Sequence, residues 1–246
     1  MSVYIYNDLG VSKESLKHTV YSVSNFMPRH KIILLNSVDI VNYDWPSKAS
    51  LLVLPGGKDV LYAKKLNGLG NEIIKDYVIK GGTYLGICAG SYYASKFVEF
   101  DKGGDLEILQ SRELSFFEDK AIGPILAPYN YENNSGVRAA RIILNLPFFR
   151  EDPFYVYYNG GGYFKNAENY DNTEVIARYE ANGLPAIIKV KFGKGVAILS
   201  AIHFEYSTGL FNKADEHQMR LLPFLENNFA NMQFCQYLFG SFIGSY

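Results

Sequence analysis

Only two of the 246 residues are cysteine, Cys88 and Cys235, too few for a disulfide framework. Neither sign of charge dominates. Lys and Arg number 24 against 25 Asp and Glu, with no dense basic run, so the footprint of a nucleic-acid or anionic-membrane binder is missing. The opening stretch MSVYIYNDLG lacks the basic segment and apolar core of a secretory leader. The apolar tail FCQYLFGSFIGSY is shorter than the ~20 residues of a membrane helix and is interrupted by Gln236, Gly240 and Ser241, so it is expected to pack on the surface or fray. No internal repeat and no low-complexity linker is found. These absences describe a cytoplasmic protein, with neither nucleic acid nor membrane as partner, built as one domain over residues 1–246.

What is present is a hydrophobic content of 48%, enough for a substantial core, and an alternation of short apolar runs with helical periods. SVYIY, KIILL and SLLVLP read as strands. Between the first two, Leu16, Val20, Val23 and Met27 recur at helical spacing, and later Ile73, Ile74, Tyr77 and Val78 share one helical face that Gly81-Gly82 closes. The strand TYLGI follows at once. Strands alternating with helices predict an α/β fold with a mostly parallel sheet, helices on both faces and functional groups at the carboxyl ends of the strands. Residues about 97–170, rich in Gly, Pro, Asn and aromatics, read as a β-rich insertion of antiparallel strands and loops. EVIARY, PAIIKVKF and GVAILSAI follow as strands, with GKG as a hairpin turn, before a last helix over about residues 215–229. The 20 tyrosines either cover strands at the surface or line a pocket with an apolar body and a polar tip.

Cys88 stands where one of these strands ends, in GICAG. A nucleophile at a strand-to-helix turn takes a strained backbone conformation that needs small residues two positions before and two after it, and Gly86 and Gly90 supply them. A helix starting near Ala89 points its first amides at the sulfur, an arrangement that favours thiolate, and makes the Ala89 N–H an oxyanion donor. Gly56 and Gly57, in LPGGKD after a neighbouring strand, bring further backbone amides toward a bound carbonyl oxygen, or form an ordinary turn. His203 and Glu205, two residues apart in LSAIHFEYS, project to the same side of an extended chain. Glu205 can then orient the imidazole while its other nitrogen faces Cys88.

The order LPGG, GICAG, HFE resembles the class I glutamine amidotransferase-like superfamily, whose triad is Cys, His and Glu and whose fold is flavodoxin-like. Glutamine-using members carry a Gln two residues beyond the second elbow glycine; Tyr92 occupies that place, and the chain contains no ammonia-accepting synthetase domain. A closer resemblance spans nearly the whole chain. LPGGKD, LNGLGN, GGTYLGICAGSYYAS, RELSFF and YYNGGGYF are similar to the amidotransferase-like N-terminal region of eukaryotic biotin–protein ligases and its stand-alone bacterial relatives. No Gly-Arg-Gly-Arg-like loop for biotinyl-adenylate is present, so the resemblance implies a fold, a Cys88–His203–Glu205 site and a pocket, without biotin transfer.

Other residues keep two readings. Asn159, Gly160 and Gly161 in YYNGGGYF either leave backbone open to a ligand or make a tight bend between strands. Arg112, beside Glu113, is read as a structural ion pair or solvated turn rather than a carboxylate binder. His18, His30 and His217 lack metal-ligand spacing and are read as surface or structural, so no metal and no cofactor are expected. The sequence thus describes a cysteine-dependent amidohydrolase or acyl-transfer enzyme. Cys88, His203 and Glu205 are its catalytic residues, Gly57 and Ala89 its oxyanion donors, and Gly56, Tyr92, Asn159, Gly160 and Gly161 its substrate contacts. The alternative is a non-catalytic module that uses the same pocket to bind a small ligand or hold a protein partner.

Overall fold

A computed structural model describes residues 1–147, 149, 152–226 and 228–242. Its strands are β1 (Ser2–Tyr6), β2 (Lys31–Leu35), β3 (Ala49–Leu54), β4 (Thr83–Ile87), β5 (Ser95–Phe100), β6 (Ile108–Ser111), β7 (Phe117–Gly123), β8 (Arg138–Leu144), β9 (Phe154–Tyr158), β10 (Tyr163–Phe164), β11 (Thr173–Tyr179), β12 (Pro185–Phe192) and β13 (Gly195–Ser200). Its helices are α1 (Lys13–Phe26), α2 (Ser37–Asn42), α3 (Asp59–Leu66), α4 (Leu69–Ile79), α5 (Ala89–Tyr93), α6 (Glu216–Met219), α7 (Leu222–Leu225) and α8 (Phe229–Ser241).

A nine-stranded sheet runs β2-β1-β3-β4-β13-β12-β11-β8-β9. From β2 to β13 every pairing is parallel; from β13 to β9 every pairing is antiparallel. The expected α/β architecture is therefore present, with helices between successive strands from β1 to β4 and turns between β11, β12 and β13. β12 and β13 form the expected hairpin, closing from Phe192↔Gly195 with Gly193 at φ 61, the positive φ that a two-residue turn needs. Strand residues alternate between two cores. Tyr4 and Tyr6 pack with Tyr62, Ile74 and Tyr77 of α3 and α4; Val3 and Ile5 face Val23 of α1 and Phe234 and Phe239 of α8. Burial on both faces is the usual condition of parallel strands.

The insertion divides in two. β8 and β9 extend the main sheet, whereas β10-β7-β5-β6 form a separate four-stranded sheet in which β5 and β7 run parallel, a departure from the all-antiparallel expectation. The C-terminal region departs further. In place of one helix over about 215–229 there are two short ones, α6 and α7, with Pro223 at the start of the second, and then α8, capped by the Asn228 side chain. Asn227, within the predicted helix, lies outside the described residues. Of the two expected alternatives the helical part of the tail takes the first and packs: Phe234, Cys235, Leu238 and Phe239 are buried in the core beside α1, while Gln236, Gly240 and Ser241 occupy the exposed face. Residues 243–246 of that tail lie outside the described residues. Among the described residues no helix is long and apolar enough to cross a membrane.

Candidate functional site

Three neighbouring parallel strands deliver the site. β3 ends in the Pro55-Gly56-Gly57 loop, β4 ends at Cys88, and β13 leads to His203 and Glu205. Cys88 has φ 49 and ψ −106, a conformation an L-residue holds only when its surroundings enforce it. They do so through the two flanking glycines. A Cβ on Gly86 would meet the Gly90 carbonyl oxygen at 2.5 Å, and one on Gly90 would collide with the Leu54 carbonyl oxygen. The Tyr84 hydroxyl donates to the Gly90 carbonyl at 2.8 Å and the Cys88 N–H donates to the Ser200 carbonyl at 2.7 Å, tying the turn to its own strand and to β13.

The Gly-Gly loop is equally constrained. Tyr62 donates from its hydroxyl to the Pro55 and Gly56 carbonyls, both at 3.1 Å, and the Gly56 N–H donates to Ser15 Oγ at 2.8 Å. A Cβ on Gly56 would lie 2.8 Å from His203 Cε1, so glycine is what lets the imidazole approach. Gly57, at φ 155, would drive a Cβ into the Gly10 carbonyl oxygen. The Gly57 and Ala89 N–H groups have no hydrogen-bond partner among the described residues, and both residues line the same cavity as Cys88 and His203.

His203 is buried, and its Nδ1 lies 2.8 Å from Glu205 Oε1. Burial acts against the imidazolium, but Glu205 and the Cys88 sulfur outweigh it and raise His203 from 6.5 to about 10. The proton held more tightly in the folded state makes a stabilising contribution that is complete below the unfolded pKa of about 6.5. It is lost as pH rises through about 10. Urea denaturation is therefore expected to show stability falling between pH 7 and 10, with a shallower fall in His203→Gln; identical slopes would sink this assignment.

His18, read as surface or structural, is fully buried. It stacks on Tyr206 at 3.9 Å, and Tyr206 in turn stacks on Tyr157 at 4.2 Å. Its Nδ1 accepts the Ser207 N–H at 3.0 Å and its Nε2 lies 3.1 Å from Glu14 Oε1. Burial, the largest influence, takes His18 down to about 4 against the pull of Glu14. The imidazole is thus neutral at pH 7, in the tautomer that donates from Nε2.

The cavity has a volume of about 70 Å³, room for a carboxamide-sized group, since one water occupies about 30 Å³ in the liquid. Gly56, Tyr92, Asn159 and Gly160 of the predicted substrate contacts line it; Gly161 does not. The three consecutive glycines are anchored by tyrosines. Tyr92, Tyr158 and Tyr179 donate their hydroxyls to the carbonyls of Gly160 (3.2 Å), Gly161 (2.8 Å) and Gly162 (2.8 Å), respectively. A Cβ on Gly161 would strike the Ala201 carbonyl oxygen. The tight-bend reading accounts for Gly161, while Gly160 also faces the cavity. Next along, the Asn159 carbonyl accepts the Cys88 thiol at 3.6 Å.

Sequence reasoning missed Ser12 and Ser15 at the start of α1, Tyr206 and Asp59, all of which line the cavity; the Ser12 cap of α1 was the available signal. Arg112 does form an ion pair, yet with Asp59 rather than with the adjacent Glu113. Glu113 accepts from the Gly68 N–H and Asn71 side chain at 2.7 and 3.0 Å, which joins RELSFF to LNGLGN. Among the described residues no group of three or more His, Cys, Asp or Glu is placed to hold a metal.

Cys235, also buried and free, differs from Cys88 in its surroundings. It is buried in the α8 core, burial pushes its thiol up, and its sulfur lies 3.3 Å from the Phe204 carbonyl oxygen. Iodoacetamide at pH 8 is expected to label Cys88 and spare Cys235 until the protein is unfolded. Comparable labelling of both in the folded state, read by peptide mass spectrometry, would contradict this.

A family model described as "Biotin-protein ligase, N terminal" matches residues 1–240. The chain is 36% identical over 234 residues to a biotin–protein ligase of Schizosaccharomyces pombe, covering 92% of this chain and 37% of that protein. It is 34% identical over 239 residues to an uncharacterized protein of Chlamydia muridarum, covering 94% and 90%. Among solved structures, a glutamine amidotransferase superposes with a TM-score of 0.57 at 15% identity, covering 98% of this chain and 100% of that one. PurLQS from Thermotoga maritima superposes at 0.55 with 13% identity, covering 92% and 99%. At these identities the structural likeness speaks for the fold alone.

Proposed function

The chain belongs to the family of biotin–protein ligase N-terminal domains, and from that premise we propose that it is a cysteine-dependent amidohydrolase or acyl-transfer enzyme acting on a small amide. The observation that carries this reading is the strained Cys88, enforced by Gly86 and Gly90, in one cavity with a His203 already oriented by Glu205. A pure binding site gains nothing from holding a thiol in that conformation.

In the proposed reaction His203 starts as the imidazolium, its pKa raised to about 10, and the Cys88 sulfur beside it attacks the amide carbon. The carbonyl oxygen becomes an oxyanion, received by the free N–H groups of Gly57 and Ala89. The imidazolium then gives its proton to the departing amine as the C–N bond breaks, leaving a thioester on Cys88. Water, deprotonated by His203, cleaves the thioester to acid and free thiol; an amine in place of water gives acyl transfer. The Glu205 carboxylate stabilises the imidazolium between the two steps, against the cost of its burial.

Free glutamine is a poor fit. The Tyr92 hydroxyl is committed to the Gly160 carbonyl, and the described residues lining the cavity include no lysine or arginine to hold an amino-acid carboxylate. Ammonia release from glutamine is expected to stay far below the typical enzymatic turnover of about 10 per second. A panel of small primary amides, followed by intact-protein mass, is expected to give an acyl adduct on Cys88. Rapid glutamine turnover would overturn the substrate assignment.

A second reading has one observation behind it: the Cys88 thiol is directed at the Asn159 carbonyl at rest. In that case the pocket binds a ligand without turning it over. Saturable binding of an amide, with neither adduct nor product under the same conditions, would favour it.

A further inference from the structure

A second chamber, of about 260 Å³, adjoins the Cys88 cavity and shares five wall residues with it: Ser12, Tyr129, Tyr131, Asn159 and Tyr206. Its wall is unusual. Small-molecule sites are mostly apolar, whereas all fourteen side chains lining this chamber carry a polar group and none is lysine, arginine or histidine. Which of those groups are already used within the protein decides what the chamber can hold. Asn130, Asn133 and Asn212 each accept at Oδ1 the backbone N–H two residues on, from Glu132, Ser135 and Ala214 at 2.7, 2.9 and 3.1 Å. Their amide nitrogens are left as donors without partners among the described residues. Asp215 is engaged at both oxygens, by the N–H groups of His217 and Gln218 and by the Asn134 amide. Glu14 has one oxygen on Lys17 and His18. Its other oxygen, both oxygens of the exposed Glu132, and the hydroxyls of Tyr129, Tyr131 and Tyr206 have no hydrogen-bond partner among the described residues.

Free donors and free acceptors thus share one wall. An anion would face the carboxylates with no cation beside it, and an ammonium would leave the three amide donors unanswered. Hydroxyls answer both sets, because each donates and accepts. We propose that the chamber holds the hydroxyl-bearing ring of an N-acylated amino sugar, whose acyl group enters the cavity above Cys88. With about 30 Å³ per water, the 260 Å³ chamber equals about nine waters, room for one pyranose ring, and the 70 Å³ inner cavity limits the acyl group to roughly acetyl size. The inference rests on the amidohydrolase reading and gives it a substrate class. The sulfur bonds to the acyl carbon, the C–N bond breaks, the amino sugar leaves with the His203 proton, and water releases the acid from the thioester.

The chamber is tested apart from the chemistry, by calorimetry of N-acetylglucosamine with the full-length Cys88→Ala protein. A Kd on the order of 1–10 mM is expected, with acetamide, which fills only the inner cavity, bound at least about tenfold more weakly. Asn133→Asp/Asn212→Asp keeps both turn-forming oxygens and exchanges two donors for acceptors. Both positions are exposed, so the fold tolerates the change, and the sugar is expected to bind about tenfold more weakly. A cation site would respond in the opposite sense and would prefer glucosamine, whose free amine is charged. No saturable heat for N-acetylglucosamine up to about 50 mM, acetamide bound as tightly, glucosamine bound more tightly, or an affinity unmoved by the double variant would each overturn the proposal. With the parent protein, an acetyl adduct on Cys88 and released glucosamine are expected by mass spectrometry. Sugar binding to Cys88→Ala with neither product in the parent would retain the sugar site and overturn the amidohydrolase reading; an acyl adduct from simple amides without sugar binding would do the reverse.

Discussion

Cys88→Ala is expected to lower turnover of a cognate amide by roughly 10⁴-fold or more while leaving thermal stability within about 1 kcal/mol of the parent. The sulfur is the only atom in the proposed path that bonds to substrate, so its loss removes the covalent route outright. Any residual rate comes from the Gly57 and Ala89 amides, which still polarise a bound carbonyl. Since Cys88 and His203 act as one unit, Cys88→Ala/His203→Ala is expected to lose no more than Cys88→Ala alone, because the imidazole has no proton left to move. Glu205→Gln is expected to cost less than either, as the imidazole keeps a hydrogen-bond partner and loses only its countercharge. Single and double variants whose losses multiply would disprove concerted action, and an active Cys88→Ala would refute the nucleophile.

The largest stability effect is expected at Arg112. Its guanidinium lies 2.6 and 2.8 Å from one Asp59 oxygen, with both side chains under 10% exposed. Burial pushes the Asp59 carboxyl up even with Arg112 beside it, a sign of how poorly this site hydrates a charge. Arg112→Ala strands that carboxyl and is expected to cost about 3–5 kcal/mol, a fall in Tm on the order of 10 °C for a chain of this size. Arg112→Met/Asp59→Leu removes both charges together and is expected to recover most of the loss. A double variant no more stable than Arg112→Ala would assign the cost to lost packing instead of the unpaired carboxyl.

The features legible in the sequence are those whose partners are close in the chain. Gly86 and Gly90 flank Cys88 at fixed offsets, and His203 and Glu205 are two residues apart along one extended segment, so local geometry alone predicts their relation. The helical faces of α1 and α4 follow from periodicity in the same way. Arg112 is different: its partner stands 53 positions away, and the nearer Glu113 offered a plausible substitute. The tyrosines illustrate the same limit. Tyr92, Tyr158 and Tyr179 read as pocket or surface residues, because nothing in their spacing shows that three hydroxyls converge on three successive glycine carbonyls. For α8, Gly240 and Gln236 looked like interruptions of an apolar run, yet they fall on the outward face of a helix whose inward face is Phe234, Leu238 and their neighbours.

The place of β4 in the sheet also bears on how the protein is made. β4 pairs on one side with β3, already synthesised when it emerges, and on the other with β13, where Thr83 meets Val196. A ribosome adding about 5–20 residues per second exposes Cys88 several seconds before His203 exists to stand beside it. During that interval the cysteine elbow lacks the strand whose Ser200 carbonyl receives its N–H, so a nascent chain carries the thiol without the machinery proposed to activate it. The chemistry proposed for this site therefore waits on the synthesis of β13 and His203.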